Sequence, residues 1–342
     1  MKKTSLSDIA RALGVSKTLI SLVLNGRGDE VGINKNTQKK VLAMAKKMNY
    51  KPNLVARGLR LGASKTLGLI VPNIANPFFA RIARVVEDEA DKHGYRVMSV
   101  SSDENPDKER TLIKVLLERQ VDGLILASSL RDYNGIRELR EDKVPFVLID
   151  RYFPRLKTPY VVVDDFAGAY EAVTHLIRKG YRRIGLLRIG PSYLTPVKLR
   201  FEGYREALRA HHIRYDSRLV REIPFNAGAG VVEEAIAGLL TPAVAAEAFF
   251  FLNNDLTVTG LSVIKEMGLR IPQDVAIVSY DDLELFSLLT PPVTAVAQPW
   301  RKMAGEAVRI LIDELRSPAG SGRTEQIVLS PEVRLRGSSR KY

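Results

Sequence analysis

The chain has 342 residues, of which 45% are hydrophobic, so it is long enough for two or three domains with buried cores. It contains no cysteine, which excludes disulfides and catalytic thiols, and no apolar run approaches the roughly 20 residues that a membrane-spanning helix needs. Lys2 and Lys3 are not followed by the apolar stretch of a secretory signal, so we expect a soluble protein of the cytoplasm.

The net charge of +13 is concentrated near the N-terminus. Residues 1–65 contain 14 Lys and Arg against 3 Asp and Glu, whereas the remaining residues contain 38 against 36. Positive charge gathered on one segment is typical of a protein that binds a polyanion such as DNA. Charge clusters also occur on ordinary solvated surfaces. Whether this cluster binds a polyanion therefore has to be judged from the sequence motif of the same segment.

Residues 6–25 predict two short helices joined by a tight turn. Gly14 permits the left-handed backbone of a sharp helix end, and Ser16 can cap the helix that follows. This is the pattern of a helix-turn-helix. The apolar residues that recur at helical spacing and would join the two helices are Ile9, Ala10 and Leu13 on the first and Ile20, Val23 and Leu24 on the second.

The second helix has another face, formed by Lys17, Thr18, Ser21, Leu22 and Asn25. A helix of this kind can enter the major groove with its donors and methyl groups against the edges of the bases. The alternative is an ordinary helical hairpin with a solvated polar face. The positive charge of the same segment favours the nucleic-acid reading.

A third helix is predicted over residues 35–49, capped by Asn34, with four lysines on its outer side placed to meet phosphates. We expect Val41, Leu42, Ala45 and Met48 on its inner side. Residues 53–60 could form a further short helix, which is too short to persist alone in water. We expect it to order only against DNA and a partner; a flexible tether is the alternative.

From Thr66 onward, apolar strands alternate with amphipathic helices in two successive series, which predicts two doubly wound α/β lobes with parallel sheets. Ligands bind such lobes in the crevice outside the carboxyl ends of the strands. The predicted strands are 67–72, 96–101, 121–127, 145–150, 160–163, 183–188, 219–224, 247–252, 275–279, 326–328 and 333–335. The predicted helices are 79–93, 107–119, 137–141, 166–179, 198–211, 230–240, 256–267 and 301–316.

Polar residues recur at the predicted strand ends. Each alone is an ordinary cap or turn residue, but together they are typical of a small-molecule pocket, because carboxylates and amides bind hydroxyl groups and an aromatic ring covers the apolar side of a sugar. The residues are Asp150, Asn254, Asp255, Asp281 and Asp282 at strand ends, Arg200 where a helix opens, and Phe78, Phe79 and Phe225 in loops after strands.

Motifs for nucleotide binding, for a nucleophilic serine and for a zinc protease are absent from the sequence. The four histidines fall on predicted helices, mostly near the C-terminal ends, where a cation also suits the helix dipole. We therefore predict no catalytic residues, no metal site and no cofactor.

Taken together, these residues resemble the LacI/GalR family of bacterial transcriptional regulators over essentially the whole chain. The resemblance implies a repressor that binds a near-palindromic operator as a homodimer. It also implies a core like the periplasmic sugar-binding proteins, whose lobes close on an effector, with a carbohydrate favoured. The matching stretches are 6–25, 49–53 with Ala56 and Arg57, 67–79, 121–125, 200–204, 254–255, 280–282, 290–292 and 298–299.

The resemblance also implies roles for individual residues. In the family, a leucine of the hinge helix wedges into the minor groove, and Leu59 matches it. The implied DNA-binding residues are Ser16, Lys17, Thr18, Ser21, Leu22, Asn25, Asn34, Thr37, Tyr50, Asn53, Ala56, Arg57, Leu59 and Arg60. The implied effector-binding residues are Phe78, Phe79, Asp150, Arg200, Phe225, Asn254 and Asp281.

Some positions depart from the family pattern. Leu22 stands where an arginine able to contact guanine is usual, and Leu19 where threonine is common, so either could instead touch thymine methyl groups. The loop after Asn25 is longer than usual, and Gly58 replaces the more usual serine. The operator sequence therefore cannot be taken from relatives.

Two other functions stay open: a periplasmic-type sugar-binding protein, disfavoured by the basic N-terminal segment, and a sugar- or nucleoside-processing enzyme, for which no catalytic set is found.

We expect three segments along the chain. The expected segments are a DNA-binding domain (1–52), a hinge (53–65) and a two-lobed dimerising core (66–342), with an N-lobe of about 66–162 plus 297–318 and a C-lobe of about 163–296 plus 319–338.

Overall fold

A computed structural model describes residues 4–50, 63–317 and 324–340. The chain divides between Ser64 and Lys65 into two compact units. In the described part of the chain, no helix combines the length and the apolar character needed to cross a membrane.

The first unit contains three helices: α1 (Leu6–Leu13), α2 (Lys17–Leu24) and α3 (Lys35–Lys47). The helix-turn-helix is present as the sequence predicts, and its buried core is Ile9, Ala10, Ile20, Val23, Val41 and Ala45. Leu42, which we expected on the inner side of α3, is instead 51% exposed. It lies at the border of the apolar stripe, where the burial of Val41 and Ala45 turns it towards solvent.

Local hydrogen bonds fix the ends of these helices. Gly14 takes the left-handed backbone at the end of α1, with φ of 65°. Ser16 Oγ accepts from the backbone N–H of Leu19 at 3.1 Å and so caps α2. Asn34 Oδ1 accepts from the N–H of Asn36 at 2.8 Å at the start of α3. The cap residues recognised in the sequence therefore do the capping.

The second unit contains two six-stranded sheets, each with helices on both faces. The first half of the chain in this unit forms β1 (Thr66–Val71), α4 (Pro77–Lys92), β2 (Arg96–Ser101), α5 (Pro106–Glu118), β3 (Gly123–Leu126), α6 (Asn134–Glu141), β4 (Phe146–Ile149), β5 (Tyr160–Val163), α7 (Asp165–Arg178) and β6 (Ile184–Ile189). The second half forms α8 (Thr195–Ala210), β7 (Val220–Ile223), α9 (Ala229–Leu240), β8 (Ala248–Phe251), α10 (Asn254–Glu266), β9 (Ala276–Tyr280), α11 (Glu284–Leu288), β10 (Thr294–Ala297), α12 (Trp300–Arg316), β11 (Gln326–Leu329) and β12 (Glu332–Arg334).

The two sheets share one topology. The strand order is β2-β1-β3-β4-β5-β11 in the first lobe and β7-β6-β8-β9-β10-β12 in the second. All neighbouring strands are parallel except β12, which runs antiparallel to β10. In the first lobe, α4 and α12 cover one face and α5 and α6 the other. In the second lobe, α7 and α8 cover one face and α9, α10 and α11 the other.

The strand order corrects the expected allocation of the chain to the lobes. We expected residues 319–338 in the C-lobe, but β11 pairs with β5 in the first sheet, and only β12 joins the second. The sequence analysis also missed β10 and α11. The strand β10 has only four residues, all of them buried, and lies between prolines. A short segment of this kind lacks the pattern of a strand, and its prolines favour the prediction of a loop.

A glycine controls how closely α7 and α8 pack, and this can be tested. A Cβ at Gly203 would lie 2.4 Å from the carbonyl oxygen of Phe166 and 3.0 Å from Ala169 Cβ. We expect Gly203→Ala to lower the free energy of unfolding by about 1–3 kcal/mol, because the two helices must separate.

Gly305→Ala in α12 is the matched control, since a Cβ there meets nothing within 4 Å. Removing a helical glycine should raise the free energy of unfolding by about 0.5–1 kcal/mol. Urea unfolding followed by circular dichroism measures both. Equal effects of the two substitutions would contradict the close helix contact.

Candidate ligand cleft and nucleic-acid interface

A cleft lies between the two lobes, where the carboxyl ends of both sheets meet. Its empty space, counting the part that is open solvent, amounts to about 600 Å³. Asn76 lies beyond the end of β1 and Asp150 directly after β4, and both belong to the first lobe. Asn254 follows β8 and Asp281 directly follows β9, and both belong to the second. The fold therefore brings Asp150, Asn254 and Asp281 together, as the sequence analysis expects of a doubly wound protein, and adds Asn76 to them.

Asp150 and Asp281 occupy equivalent places in the two lobes. Each directly follows the fourth strand of its series, each is 6% exposed, and each has a left-handed backbone, with φ of 67° and 71°. Non-glycine residues in this conformation cluster at functional sites. Burial raises the pKa of Asp150 to about 7, although Arg151 and Arg200 oppose the shift. Burial also raises the pKa of Asp281.

Arg200 is fixed by a buried ion pair. Its Nε lies 2.7 Å from Asp165 Oδ1, its Nη1 donates to the carbonyl oxygen of Leu252 at 2.7 Å, and its guanidinium lies 3.7 Å from the centre of the Tyr280 ring. The prediction placed Arg200 at the opening of a helix; α8 begins five residues earlier, at Thr195, so Arg200 lies in its second turn. The guanidinium is thus held rigidly beside the cleft.

The predicted aromatic residues also line the cleft. Phe78 and Phe79 are in the first turn of α4 rather than in a loop, because Asn76 caps the helix and Pro77 starts it. Both rings are buried and meet edge to face, with centroids 5.0 Å apart. Phe225 is half-buried in the loop after β7, as predicted. Apolar rings from both lobes therefore face the polar residues.

Asp255 and Asp282 differ in position. Asp255 lines the cleft and accepts from Asn76 Nδ2 at 2.8 Å. Asp282 does not line the cleft; it lines a neighbouring cavity, where it is paired with Arg334 and Arg336. Asp281 lines both the cleft and this neighbouring cavity, whereas Asp282 lines only the neighbouring cavity.

The sequence analysis did not identify several residues that line the cleft, among them Asn76, Glu104, Arg151 and Gln298. Arg151 pairs with Glu104, with Nη2 2.5 Å from Oε1, and Gln298 Nε2 donates to Asp281 Oδ1 at 2.5 Å. The Asn-Pro cap signal at Asn76 was available in the sequence. Glu104 and Gln298 gave no comparable local signal, since their partners lie far away along the chain.

Several hydrogen bonds cross between the lobes at the cleft. The amides of Asn76 and Asn254 bond reciprocally, at 3.1 and 3.3 Å. On another side, Tyr193 Oη donates to the carbonyl oxygen of Ser129 at 2.8 Å. The lobes are therefore held together by polar contacts, which exchange more easily with a ligand or water than an apolar core does.

Among the described residues, 4–50, 63–317 and 324–340, no group of three or more His, Cys, Asp or Glu could hold a metal ion. His93 and His211 are the C-cap residues of α4 and α8, and His175 lies in the last turn of α7.

The candidate DNA-reading face lies on α2 and around α3. Ser16, Lys17, Thr18 and Asn25 are exposed, whereas Ser21 and Leu22 are half-buried. Asn34 is exposed at the start of α3, and Thr37 and Tyr50 are half-buried. The other predicted DNA contacts, Asn53, Ala56, Arg57, Leu59 and Arg60, lie outside the described residues.

The long loop after α2 has its own supports. Asp29 accepts from Lys35 Nζ at 2.6 Å and from Gln38 Nε2 at 2.8 Å, so the loop is tied to the first turns of α3. These bonds lower the pKa of Asp29, with the contact from Lys35 the largest cause. The Gln38 side chain also covers Gly28, where a Cβ would lie 2.6 Å from Gln38 Cδ.

Two family models match this chain. The model for bacterial regulatory proteins of the lacI family covers residues 5–53, and the periplasmic binding protein-like domain covers residues 173–339. The HTH-type transcriptional regulator DegA of Bacillus subtilis is 33% identical over 98% of both chains. The chain belongs to the lacI family of bacterial regulatory proteins. It is a DNA-binding transcriptional regulator, which confirms the family and the function class predicted from the sequence.

Solved structures support the assignment of this regulator to the lacI family. The transcriptional regulator CelR in complex with cellobiose is 30% identical, with a TM-score of 0.71, and the match covers 98% of this chain and 100% of that one. A LacI-family regulator from Enterococcus faecium with bound ribose is 28% identical, with a TM-score of 0.70, over 81% and 99% of the two chains. The fold class, a small helix-turn-helix domain with a two-lobed α/β core, is confirmed.

The raised pKa of Asp150 gives a test by pH. The unfolded chain loses this proton at the ordinary value near 4, whereas the folded chain retains it up to about 7. The contribution of Asp150 to stability is therefore full below about pH 4 and is lost as the pH rises to about 7. Asn keeps the shape and tolerates the left-handed backbone but does not titrate.

We therefore expect the stability of the wild type relative to Asp150→Asn to be lower at about pH 8 than at about pH 5. Urea unfolding of both proteins at both pH values measures the difference. A difference between the two proteins that does not change with pH would contradict the assignment.

Proposed function

We propose that this regulator is a repressor whose operator affinity is controlled by a sugar or sugar derivative bound in the cleft between its lobes. The observation that carries the proposal is the convergence of Asp150, Arg200, Asn254 and Asp281 with the rings of Phe78, Phe79 and Phe225 in one cleft. Carboxylates and a guanidinium can bind neighbouring hydroxyl groups, and aromatic rings cover the apolar face of a sugar. The cellobiose and ribose in two related structures support the same ligand class.

At the operator, we propose that Lys17, Thr18, Ser21 and Leu22 of α2 meet base edges, with Ser16, Asn25, Asn34, Thr37 and Tyr50 beside them. The exposed positions of Lys17 and Thr18 support this role. Leu22 would contact a thymine methyl group where relatives use arginine. From the family resemblance, we further propose that residues 53–65 form the hinge, with Leu59 as the minor-groove wedge and Asn53, Ala56, Arg57 and Arg60 nearby.

We also propose that the protein acts as a homodimer in the cytoplasm, where one recognition helix from each protomer reads one half of a near-palindromic site. In this account the core is a sensor and carries out no reaction. A sugar-binding protein without DNA binding is disfavoured by the helix-turn-helix, and the described residues present no recognised catalytic set.

The effector site can be tested at Asp281. We expect Asp281→Asn to weaken binding of the active sugar by about tenfold or more, because the charged acceptor for its hydroxyl groups is lost. The variant should still bind the operator but should no longer respond to the sugar. Fluorescence anisotropy on labelled operator DNA, with ribose and cellobiose as first probes, measures both properties.

Asp91→Asn is the control, since this side chain is 60% exposed on the first lobe and pairs with Arg96. It should respond like the wild type. A normal sugar response in Asp281→Asn would place the effector elsewhere.

The DNA-reading face can be tested at Thr18. Because its side chain is uncharged, Thr18→Ala should cost about 1–3 kcal/mol of operator affinity while leaving binding to random DNA unchanged. Lys17→Ala should weaken both kinds of binding, since it removes a positive charge. Competition assays against operator and random duplexes separate the two effects.

Lys92→Ala serves as a control for loss of charge, because Lys92 lies in the second unit and pairs with Glu89. It should behave as the wild type. Wild-type operator affinity in Thr18→Ala and in Lys17→Ala would remove α2 from the base-reading role.

A further inference from the structure

The charged side chains that line the ligand cleft are more acidic than basic. They are the carboxylates of Glu104, Asp150, Asp255 and Asp281 and the guanidinium groups of Arg151 and Arg200. Burial raises the pKa of Asp150 to about 7, but even with this group protonated three carboxylates face two guanidinium groups. The electrostatic field of such a cleft favours a neutral ligand over an anion.

Arg151 is occupied by Glu104, which lies in the loop after β2. Arg151 Nη1 donates to Glu104 Oε2 at 2.7 Å and Nη2 to Oε1 at 2.5 Å, so both ends of the guanidinium fork bind one carboxylate. Ser129 Oγ donates to the same carboxylate at 3.0 Å. The side chains of Arg151 and Glu104 are 9% and 7% exposed. A phosphate would have to displace Glu104 from a buried bidentate pair before it could bind this fork.

The charge of Arg200 is compensated in a similar way. Its Nε lies 2.7 Å from Asp165 Oδ1, and its Nη1 is held by the carbonyl oxygen of Leu252. A guanidinium paired like this can still donate a hydrogen bond to a hydroxyl group. It offers no uncompensated positive charge to a phosphate.

Several polar atoms of the cleft need a donor from the ligand. Gln298 Oε1 is buried and has no hydrogen-bond partner among the described residues, while its Nε2 donates to Asp281. The carboxylates of Asp150, Asp255 and Asp281 add further acceptor oxygens. Sugar hydroxyl groups can donate to such atoms, whereas the oxygens of an ionised phosphate or carboxylate only accept.

The N-termini of helices are the other common anion sites, and those at the cleft carry their own caps. Asn76 Oδ1 accepts from the N–H of Phe78 at 2.9 Å at the start of α4, and Asn253 Oδ1 accepts from the N–H of Leu256 at 3.0 Å at the start of α10. In the first turn of α8, Pro196 has no N–H to donate. The caps and the proline reduce what these helix ends offer to an anion.

We propose that the cleft admits an uncharged sugar and rejects its phosphorylated and acid forms, and that Glu104 sets this selection by occupying the fork of Arg151. The inference rests on the sugar cleft of the proposed function and adds the charge of the ligand to it. Selectivity of this kind comes from a repulsive element as much as from contacts with the right ligand. The regulator would then respond to the free sugar and not to the sugar phosphate formed from it.

The experiment uses the purified full-length chain and isothermal titration at constant ionic strength set with chloride. The neutral probes are ribose, glucose and cellobiose, and their charged counterparts are ribose 5-phosphate, glucose 6-phosphate and cellobionate. We expect at least one neutral sugar to bind and its charged counterpart to bind at least about tenfold more weakly, because the anion meets acceptors and paired guanidinium groups.

Glu104→Gln tests the residue that sets the selection. Glutamine keeps the shape of the side chain but leaves the charge of Arg151 uncompensated, so the ratio of the two affinities should narrow by about tenfold. Adding Arg151→Gln to the same chain should remove this gain. Circular dichroism and a thermal melt check that the variants fold, and the comparison of sugars on the wild type depends on neither of them.

Asp103→Asn is the matched control. It removes the carboxylate of the neighbouring residue, which is half-exposed, pairs with Lys108 and lies outside the cleft wall. Asparagine tolerates the left-handed backbone at this position, where φ is 54°. This variant should keep the affinity ratio of the wild type.

A charged counterpart that binds the wild type as tightly as its neutral sugar overturns the inference and leaves the proposed sugar cleft standing. An unchanged ratio in folded Glu104→Gln, or an equal narrowing in Asp103→Asn, removes Glu104 from the selecting role. Failure of all six probes to bind the wild type contradicts the proposed function itself, and the inference with it.

Discussion

The buried ion pair between Arg200 and Asp165 is the interaction on which the cleft depends. Their side chains are 7% and 3% exposed, and two charges so far from water are stable only with good geometry and further hydrogen bonds. The carbonyl oxygen of Leu252 and the ring of Tyr280 supply these contacts, which tie α7, α8, β8 and β9 together. The fixed guanidinium then stabilises the charged forms of Asp150 and Asp281, which burial alone would disfavour.

The second constraint is the duplication of topology in the core. Because both lobes have the same strand order, the same strand end carries an aspartate in each, and the two carboxylates face one cleft. The chain passes between the lobes three times: after β5, between β10 and α12, and between β11 and β12. Short crossings of this kind let lobes close around a ligand. The bonds from Asn76 to Asn254 and from Tyr193 to Ser129 are among the contacts that such a motion must break and reform.

Features that depend on residues close together in the sequence could be predicted from it. The caps at Ser16 and Asn34 and the helical spacing of Ile9, Ile20 and Val41 were enough for the helix-turn-helix, and alternation of strands and helices was enough for the fold class. Features that depend on distant partners were missed. We assigned β11 to the wrong lobe because its partner strand β5 lies far away in the sequence. Gln298 was not recognised as a cleft residue because its hydrogen bond to Asp281 joins two residues that are distant in the sequence. Phe78 and Asp150 were recognised as residues that line the cleft because residues at strand ends and helix starts of this topology face the crevice.

We propose that one chain couples a sequence-specific DNA reader to a ligand cleft. The most direct test of this proposal is selection of bound sequences from random DNA by the purified full-length protein, in the absence and presence of a panel of sugars. The account predicts a near-palindromic motif whose recovery one sugar raises or lowers. Salt-sensitive binding without a motif would contradict the DNA-reading role of α2, and a motif unaffected by any sugar that binds would contradict the coupling.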